Sequence, residues 1–281
     1  MKNKRKQILL ITGLFLLCLL LSGFWEGLVV RHYTLDTGHG SDPVRLALIT
    51  DLHSCSYGKE MEKLINRVIE QKPDVILLGG DIFDDQIPDD NAELFIAGIS
   101  GKVPCYYVTG NHEYWSGVDA FARKMAILDR YGIARLSGTA SELEIRGIRL
   151  MIGGVDDPCQ WTGSLNGTVP DGFLSELSDV SEHSKGCDVS ILLSHRPELF
   201  DLYCRHGFDL VLAGHAHGGQ WRIPGLLNGL YAPNQGFFPP LAGGKYERDG
   251  TVMIVSRGLA RESTRIPRYY NPPELVMIDL K

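Results

Sequence analysis

The feature that most limits the fold of this chain is an alternation of two apolar patterns from residue 43 onward. Short runs of aliphatic side chains, such as residues 44–50 and 74–78, have the length of buried strands. Between these two runs, apolar side chains in residues 61–69 recur at helical spacing. Strands that alternate with helices pack as a largely parallel sheet with helices outside it. The pattern therefore predicts one α/β domain over residues 43–281.

Each of five predicted strands runs directly into polar side chains with the chemistry of metal ligands. In chain order these are Asp51 and His53, Asp81 and Asp84, Asn111 and His112, His195, and His215 and His217. The carboxyl ends of parallel strands meet at one edge of a sheet, where ligands bind. Each motif alone is common in ordinary turns. Together they predict one metal site.

The types of side chain limit the metal. Carboxylate, imidazole and amide oxygen ligands without a thiolate suit Mn, Fe, Zn or Co better than a closed structural zinc site. The seven candidate ligands among these residues are too many for one tetrahedral ion. We therefore expect two divalent metal ions that share a carboxylate, an arrangement that enzymes use for in-line displacement at phosphorus.

The order of the motifs resembles that of the calcineurin-like metallophosphoesterase superfamily: D-x-H, G-D-x-x-D, G-N-H-E, H and G-H-x-H, between Asp51 and His217. Residues 153–158, 217–220 and 256–274 are also similar to its bacterial membrane-associated branch, the YkuE/YaeI-type phosphodiesterases. The resemblance implies a four-layer α/β/β/α sandwich of two mixed sheets. One N-terminal transmembrane helix would precede this domain.

The resemblance also implies a role for each motif residue. The metal ligands would be Asp51, His53 and His217 for the first ion, Asn111, His195 and His215 for the second, and Asp81 bridging both. His112 would be the general acid that protonates the leaving oxygen, and Asp84 would orient and charge His112. A water that bridges two divalent ions loses a proton near neutral pH, and the resulting hydroxide would attack phosphorus in line.

The N-terminal residues 1–30 carry a separate signal. A basic tip precedes residues 8–25, an 18-residue stretch without charge that is about the shortest length able to cross a bilayer as a helix. A cleaved signal peptide starts in the same way but has a shorter apolar run, so the length favours an uncleaved anchor. The basic tip then places the N-terminus in the cytoplasm and the catalytic domain on the extracytoplasmic side of the cell membrane. Residues 31–42 are expected to be a linker.

The charge balance limits the partners. Residues 31–281 carry 24 basic and 33 acidic side chains, and the sequence has no basic cluster outside the N-terminus. Nucleic acids are held by clustered Lys and Arg, so we expect no nucleic-acid partner. A phosphorylated small molecule or lipid would instead be held by the metal ions.

Two further residues are candidate substrate contacts, and both follow motif residues in the sequence. Arg196 is a candidate contact for a substrate phosphate, and Tyr114 is a candidate residue of the pocket wall. For each of them a purely structural role is the alternative. The six cysteines include no C-x-x-C pair, which excludes zinc-ribbon and thioredoxin-like sites. Isolated thiols and a single disulfide are both compatible with their spacing.

Three functions fit these features. The first is a dinuclear phosphoesterase that cleaves phosphodiester or pyrophosphate bonds in a membrane or cell-envelope substrate. The second is a phosphomonoesterase that acts on small molecules or phosphoproteins. The third is a catalytically silent metal-binding module. The presence of every expected ligand, together with His112 and Asp84, disfavours the third.

Overall fold

The computed structural model describes residues 2–38, 42–165, 167–264 and 266–281. The strands within these residues are β1 (Val29–Leu35), β2 (Val44–Ile49), β3 (Val75–Gly79), β4 (Cys105–Val108), β5 (Ala134–Arg135), β6 (Thr139–Ile145), β7 (Ile148–Gly154), β8 (Val189–Leu193), β9 (Leu210–Ala213), β10 (Tyr231–Ala232), β11 (Gly236–Phe237), β12 (Gly244–Arg248), β13 (Thr251–Val255) and β14 (Glu274–Leu280). The α-helices are α1 (Lys2–Ser22), α2 (Glu62–Glu70), α3 (Asp90–Ile99), α4 (Asn111–Trp115), α5 (Val118–Arg130), α6 (Cys159–Thr162), α7 (Asp171–Glu182) and α8 (Phe200–His206).

Two six-stranded mixed sheets form the centre of the domain. Their strand orders are β1-β14-β2-β3-β4-β5 and β12-β13-β9-β8-β7-β6. The strands β2 to β5 are parallel neighbours, and so are β7, β8, β9 and β13. Antiparallel partners flank each parallel block, with β14 beside β2, β6 beside β7 and β12 beside β13. The strands β10 and β11 form a separate ribbon.

The alternation of side chains along each strand explains the layers. In β2, Leu46 and Leu48 lie in the cluster between the sheets, together with Ile191 and Leu212 of the second sheet. Ala47 and Ile49, which alternate with them along β2, belong to the opposite cluster, which packs under α2, α3 and α5. The helices α7 and α8 cover the outer face of the second sheet. Both faces of the central strands are therefore buried, and the predicted α/β/β/α sandwich is confirmed.

The predicted linker at residues 31–42 is wrong for its first part. Val29–Leu35 is β1, which pairs in parallel with β14 from Val29 opposite Glu274 to Leu35 opposite Leu280. His32 and Thr34 of this edge strand are exposed, whereas Tyr33 and Leu35 pack against the core between the sheets. The domain therefore begins at β1 and not at residue 43. Residues 39–41 of the predicted linker lie outside the described residues.

The helix α1 is apolar and separate from the core. Its segment Lys4–Ser22 is long and apolar enough to cross a membrane, and none of this segment is buried against the described part of the protein. A signal sequence near an N-terminus would share these properties. Contacts with the domain begin where α1 ends: the backbone N–H of Tyr270 donates to the carbonyl oxygen of Gly23 at 2.6 Å, and the rings of Phe24 and Tyr269 pack edge to face.

All six cysteines are free thiols. Cys55, Cys105, Cys159 and Cys204 are buried, and each behaves as a small apolar side chain. The sequence left isolated thiols and a single disulfide open, and the structure has isolated thiols.

Candidate metal centre

The predicted ligands meet at one end of the two sheets. Residues from the ends of β2, β3 and β4 in the first sheet face residues from the ends of β8 and β9 in the second. The parallel blocks of both sheets direct their carboxyl ends to this place, as expected for an α/β site. The structure thus brings together motif residues as far apart in the sequence as Asp51 and His217, which are 166 residues apart.

Five of the seven predicted ligands have a left-handed backbone. The φ angles of Asp51, His53, Asp81, His215 and His217 lie between 47° and 64°. A residue with a side chain pays about 1–3 kcal/mol for such a conformation, which persists where the surrounding structure enforces it. The concentration of such residues here sets this place apart from ordinary turns.

Asp51, His53 and His217 form one cluster. Their candidate ligand atoms lie within 4.8 Å of one another. Nε2 of His217 is 3.4 Å from Oδ1 of Asp51 and 3.4 Å from Nε2 of His53. Nδ1 of His53 is bonded to the carboxylate of Asp84 at 2.8 Å, which leaves Nε2 as its ligand atom.

Asp81, His195 and His215 form a second cluster with the same spacing. Nδ1 of His195 donates to the carbonyl oxygen of Gly79 at 2.8 Å, and its Nε2 lies 3.0 Å from Oδ2 of Asp81. The same carboxylate oxygen is 3.6 Å from Nε2 of His53, which belongs to the first cluster. Asp81 therefore stands between the two clusters, the position that a bridging ligand needs.

Two buried oxygens in this centre suit a cation. Oδ1 of Asn111 and Oδ2 of Asp51 are fully buried and have no hydrogen-bond partner among the described residues. An unpaired buried polar atom is costly, and more so on a carboxylate. Carboxylate, imidazole and amide ligands together fit divalent transition metals. The residues present therefore fit the metal ions that the sequence predicts.

The backbone fixes the two carboxylates in place. The N–H of His112 donates to Oδ1 of Asp81 at 2.9 Å, and the N–H of His215 donates to Oδ1 of Asp51 at 2.9 Å. Each carboxylate is thus held by the loop of another motif. Gly110 makes this approach feasible, because a Cβ at that position would lie 2.2 Å from Oδ1 of Asp81.

The charges of the cluster are strongly coupled. Burial opposes ionisation of Asp81, but the nearby His195 and His112 outweigh it and hold the pKa of that carboxyl well below its usual range. In the metal-free protein the pKa of His195 rises to about 10 despite burial, because the charge of Asp81 favours the imidazolium, and a bound metal ion would displace that proton. Burial lowers the pKa of His215 and His217, with Arg196 adding to the effect at His215 and His53 at His217. These two imidazoles are therefore neutral, as metal ligands must be.

The structure corrects the predicted role of Asp84. Nδ1 of His112 is 2.5 Å from Oδ1 of Asp85 but 3.6 Å from Asp84, whose Oδ2 bonds to His53 instead. The other oxygen of Asp84 accepts the backbone N–H groups of Gln86 and Ile87. Because these bonds turn the Asp84 carboxylate toward His53, the partner of His112 is Asp85, which the sequence reasoning missed.

Glu113 is a second residue whose role was missed. Its buried carboxylate accepts backbone N–H groups from Gly110, Asp81 and Phe83 at 2.8–3.1 Å. It thereby ties the loop after β3 to the loop after β4. Burial and the charge of Asp81 raise the pKa of Glu113 to about 7. The motif G-N-H-E contained the residue, but no sequence pattern showed which backbone groups it would bind.

Arg196 lies in a buried network of polar side chains beside the candidate metal centre. It is buried and pairs with both carboxylate oxygens of Asp157, while its Nη1 lies 2.8 Å from Oδ1 of Asn234 and 2.7 Å from Nε2 of His215. Desolvation of a guanidinium is offset only by such full pairing. Arg196 therefore supports the loop of His215, and its expected contact with a substrate phosphate stays a prediction.

Tyr114 also lies away from the open pocket. Its hydroxyl is 2.5 Å from Oε1 of Gln160 and 3.3 Å from Oγ1 of Thr109, and its ring stacks on Phe121. It packs the helix α4 against the rest of the domain. The neighbouring Trp115 instead approaches the site, with its ring 4.9 Å from that of His112.

An open cavity of about 650 Å³ adjoins the centre. His112 and His217 lie on its wall together with Gln220, Trp221 and Tyr231. Sequence reasoning gave the last three no role, although Gln220 ends the quoted segment 217–220 and Trp221 follows it, because no local pattern there indicates a cavity wall. Gly258 was also missed: its φ is 72° and a Cβ there would lie 2.6 Å from Cβ of Asp51.

Comparison with known proteins agrees with this geometry. The family model of calcineurin-like phosphoesterases matches residues 44–219. The metallophosphoesterase YkuE of Bacillus subtilis is 28% identical over 252 residues, which cover 86% of this chain and 81% of YkuE. The phosphodiesterase YaeI of Escherichia coli is 26% identical over 215 residues, which cover 75% of this chain and 73% of YaeI.

A solved structure has the same fold. A dimetal phosphatase from Danio rerio superposes with a TM-score of 0.50 at 15% identity, over 84% of this chain and 92% of that protein. Not every relative is matched over its whole length. The matched region spans 59% of another curated relative, to which the chain is 28% identical.

Proposed function

The chain belongs to the calcineurin-like phosphoesterase family, and from this premise we propose that it is a dinuclear phosphoesterase that cleaves phosphodiester or pyrophosphate bonds. One observation carries the proposal. Asp81 lies between two clusters, Asp51 with His53 and His217, and His195 with His215, beside the unpaired oxygen of Asn111. Two adjacent cation sites that share a carboxylate suit in-line displacement at phosphorus.

The ligands divide between two ions. Asp51, His53 and His217 would hold the first, Asn111, His195 and His215 the second, and Asp81 both. The bound ions supply an activated water as nucleophile and neutralise charge on the phosphoryl oxygens. Asp84 keeps the proton of His53 on Nδ1, and Gly79 does the same for His195. Both imidazoles therefore present Nε2 to the centre.

His112 serves as the general acid. Its side chain is 25% exposed, lies on the wall of the cavity and contacts the ring of His53 edge to face at 4.4 Å. Asp85 holds Nδ1, so Nε2 is the nitrogen that gives a proton to the leaving oxygen. Asp85 fixes the tautomer and stabilises the imidazolium, as a carboxylate partner does for other catalytic histidines.

The substrate is proposed to lie at the membrane. The contacts between Tyr270 and the end of α1 support an anchor that stays attached to the domain. The basic residues before α1 support a cytoplasmic N-terminus and a catalytic domain on the extracytoplasmic side. A membrane or cell-envelope phosphoester is the class of substrate within reach of such a domain.

Two chromogenic esters test the reaction class. The purified full chain is loaded with Mn²⁺ and offered bis-p-nitrophenyl phosphate and p-nitrophenyl phosphate. We expect the diester to have the higher kcat/KM, in keeping with the name of the Escherichia coli relative, a phosphodiesterase. A preference for the monoester would make the chain a phosphomonoesterase. If Mn, Co, Zn, Fe and Ni all fail to support cleavage of either ester, the proposal is refuted.

A further inference from the structure

The cavity beside the metal centre has two chemically different ends. His112 and His217 form the end at the metal ligands. The remaining wall includes the apolar side chains Trp221, Leu230 and Ile266. Among its described lining residues none is Lys, Arg, Asp or Glu. A volume of about 650 Å³ is large enough for a ligand well beyond a phosphate group.

The outer rim of this cavity exposes large apolar side chains. Phe237 is 71% exposed, Ile266 57% and Tyr231 49%. The rings of Tyr231 and Phe237 pack against each other at 5.3 Å on the ribbon of β10 and β11. Contiguous exposed apolar side chains at a pocket mouth mark a binding surface for an apolar partner.

A chain of contacts links this rim to the end of α1. Tyr270 bonds to Gly23 through its backbone and to Leu19 through its hydroxyl. The adjacent Tyr269 donates its backbone N–H to Gln220 and packs against the ring of Trp221 at 5.4 Å.

The indole N–H of Trp221 donates to the carbonyl oxygen of Pro267 at 3.0 Å, next to Ile266. One wall of the cavity is therefore built on the segment that holds the base of the apolar helix. A helix in a bilayer would bring this wall to the membrane surface.

We propose that the cavity binds the hydrocarbon chain of a membrane lipid phosphoester, whose phosphate reaches the metal centre past His112 and His217. The inference rests on the proposed function, since it names the substrate class of the same site. The polar end suits the phosphate and the apolar end suits the chain, because each methylene removed from water adds to binding. The position beside α1 lets the chain pass from the bilayer into the cavity.

Two substrates with the same reacting group and different alkyl chains measure the contribution of the cavity to catalysis. They are p-nitrophenyl methyl phosphate and p-nitrophenyl dodecyl phosphate. Hydrolysis of either one forms a bond from the oxygen of water to phosphorus, breaks the bond to p-nitrophenolate and leaves the alkyl phosphate. The full chain is loaded with Mn²⁺ in micelles of an uncharged sugar detergent, which contains no competing phosphate.

The test compares a pocket variant with a matched control. Ile266→Asn places an amide in the cavity, and Ile69→Asn makes the same change on α2, where Ile69 is 40% exposed. The dodecyl ester partitions into micelles to the same extent in assays of both variants, so this partition does not change the comparison between them. We expect the ratio of kcat/KM for the dodecyl over the methyl ester to fall at least tenfold in Ile266→Asn and to keep its original value in Ile69→Asn.

A second variant and a binding measurement complete the test. Phe237→Ser should lower the ratio in the same way, and circular dichroism checks that both variants are folded. Dodecylphosphonate, which has no ester bond, is titrated by calorimetry onto the same Mn²⁺-loaded proteins and should bind at least tenfold more weakly to both pocket variants than to Ile69→Asn.

The outcomes separate the two proposals. Equal ratios and equal phosphonate affinities in the pocket and control variants would overturn the hydrocarbon site, whatever the activity. Pocket-dependent binding of dodecylphosphonate without cleavage of either ester would support the site and refute the phosphoesterase function.

Discussion

The Asp84 carboxylate accepts a hydrogen bond from Nδ1 of His53 at 2.8 Å, and its neighbour Asp85 lies 2.5 Å from Nδ1 of His112. Two consecutive carboxylates thus serve two histidines with different tasks. The first fixes a candidate metal ligand, and the second fixes the proposed general acid. Substitutions at the two positions should therefore produce different defects.

Asp84→Asn should weaken metal binding. Its oxygen would keep the backbone N–H groups of Gln86 and Ile87, so its amide nitrogen would face His53 and force the imidazole proton onto Nε2. The loss of such a partner typically costs about 10–100-fold in metal affinity. Calorimetric titration with Mn²⁺ measures it, with Asp85→Asn as the control that keeps wild-type affinity. Equal affinity in both variants would contradict this assignment.

His112→Ala should keep both metals and lose turnover. A general acid contributes about 10²–10⁴-fold to the rate, so kcat should fall by that order. Asp85→Asn should also lower kcat, by a smaller factor than His112→Ala. Asp81→Ala should instead lose metal, because Asp81 stands between both clusters. Metal content by elemental analysis separates the cases, and an empty His112→Ala protein would show that His112 has a ligand role.

Gly258→Ala should disturb the first cluster. The new Cβ would lie 2.6 Å from Cβ of Asp51, at a φ of 72°. Gly250 has a φ of 83° and open space around it, so Gly250→Ala measures the backbone strain alone, roughly 1–2 kcal/mol. Denaturant unfolding should show a larger loss in Gly258→Ala, and Mn²⁺ affinity should fall only there. Equal effects in the two variants would mean that contact with Asp51 is unimportant.

Glu176 should make stability depend on pH. Its carboxylate accepts the backbone N–H of Asp156, and burial raises its pKa from 4.5 to about 7. The folded state then binds a proton more tightly than the unfolded state, so the free energy of unfolding falls as pH rises from about 4.5 through about 7.

Glu176→Gln keeps the acceptor and removes the titration, so this fall should be smaller in urea unfolding with a chelator present. Part of the fall should persist, since the pKa of Glu113 is also raised to about 7. The matched control is Glu182→Gln, an exposed position on the same helix α7, and its pH dependence should equal that of the wild type. A Glu176→Gln curve as steep as that of the control would contradict the expectation.

The anchor should remain in the mature protein. The intact mass of the chain from the membrane fraction of expressing bacteria should include residues 2–25. Protease is added to cells whose outer layers have been made permeable while the cytoplasmic membrane stays intact. It should digest the domain, because we place the domain on the extracytoplasmic side. An intact mass that corresponds to a chain beginning after Gly23 would show that the segment is a cleaved signal. A domain that resists the protease would show that it lies in the cytoplasm.

Local patterns of the sequence were enough to predict much of the fold and many of the residues of the candidate site. Apolar runs and helical periods depend on nearby residues, so they indicated the strands and helices of the α/β domain. The polar motifs after these runs identified the side chains from Asp51 to His217 that meet at the metal centre. Parallel strands end at the same edge, which is why sequence position alone could predict that the motifs converge.

Other features depended on contacts between distant segments. Whether Asp84 or Asp85 meets His112 is decided by the direction of each carboxylate in a turn, which the spacing of residues does not specify. Arg196 became a structural residue because Asp157 lies beside it in the fold. The edge strand β1 pairs with β14, where Val29 lies opposite Glu274, and no local pattern indicates a partner so distant in the sequence.

The apolar cavity was the feature furthest from sequence reasoning. Trp221, Phe237 and Ile266 lie in separate loops without a shared period, and they form one surface only because the domain folds them together. The sequence by itself determined the chemistry of the metal centre, since that chemistry resides in residue types at strand ends. Only the tertiary structure decided which groups orient the histidines and what adjoins them, since those relationships depend on packing between loops.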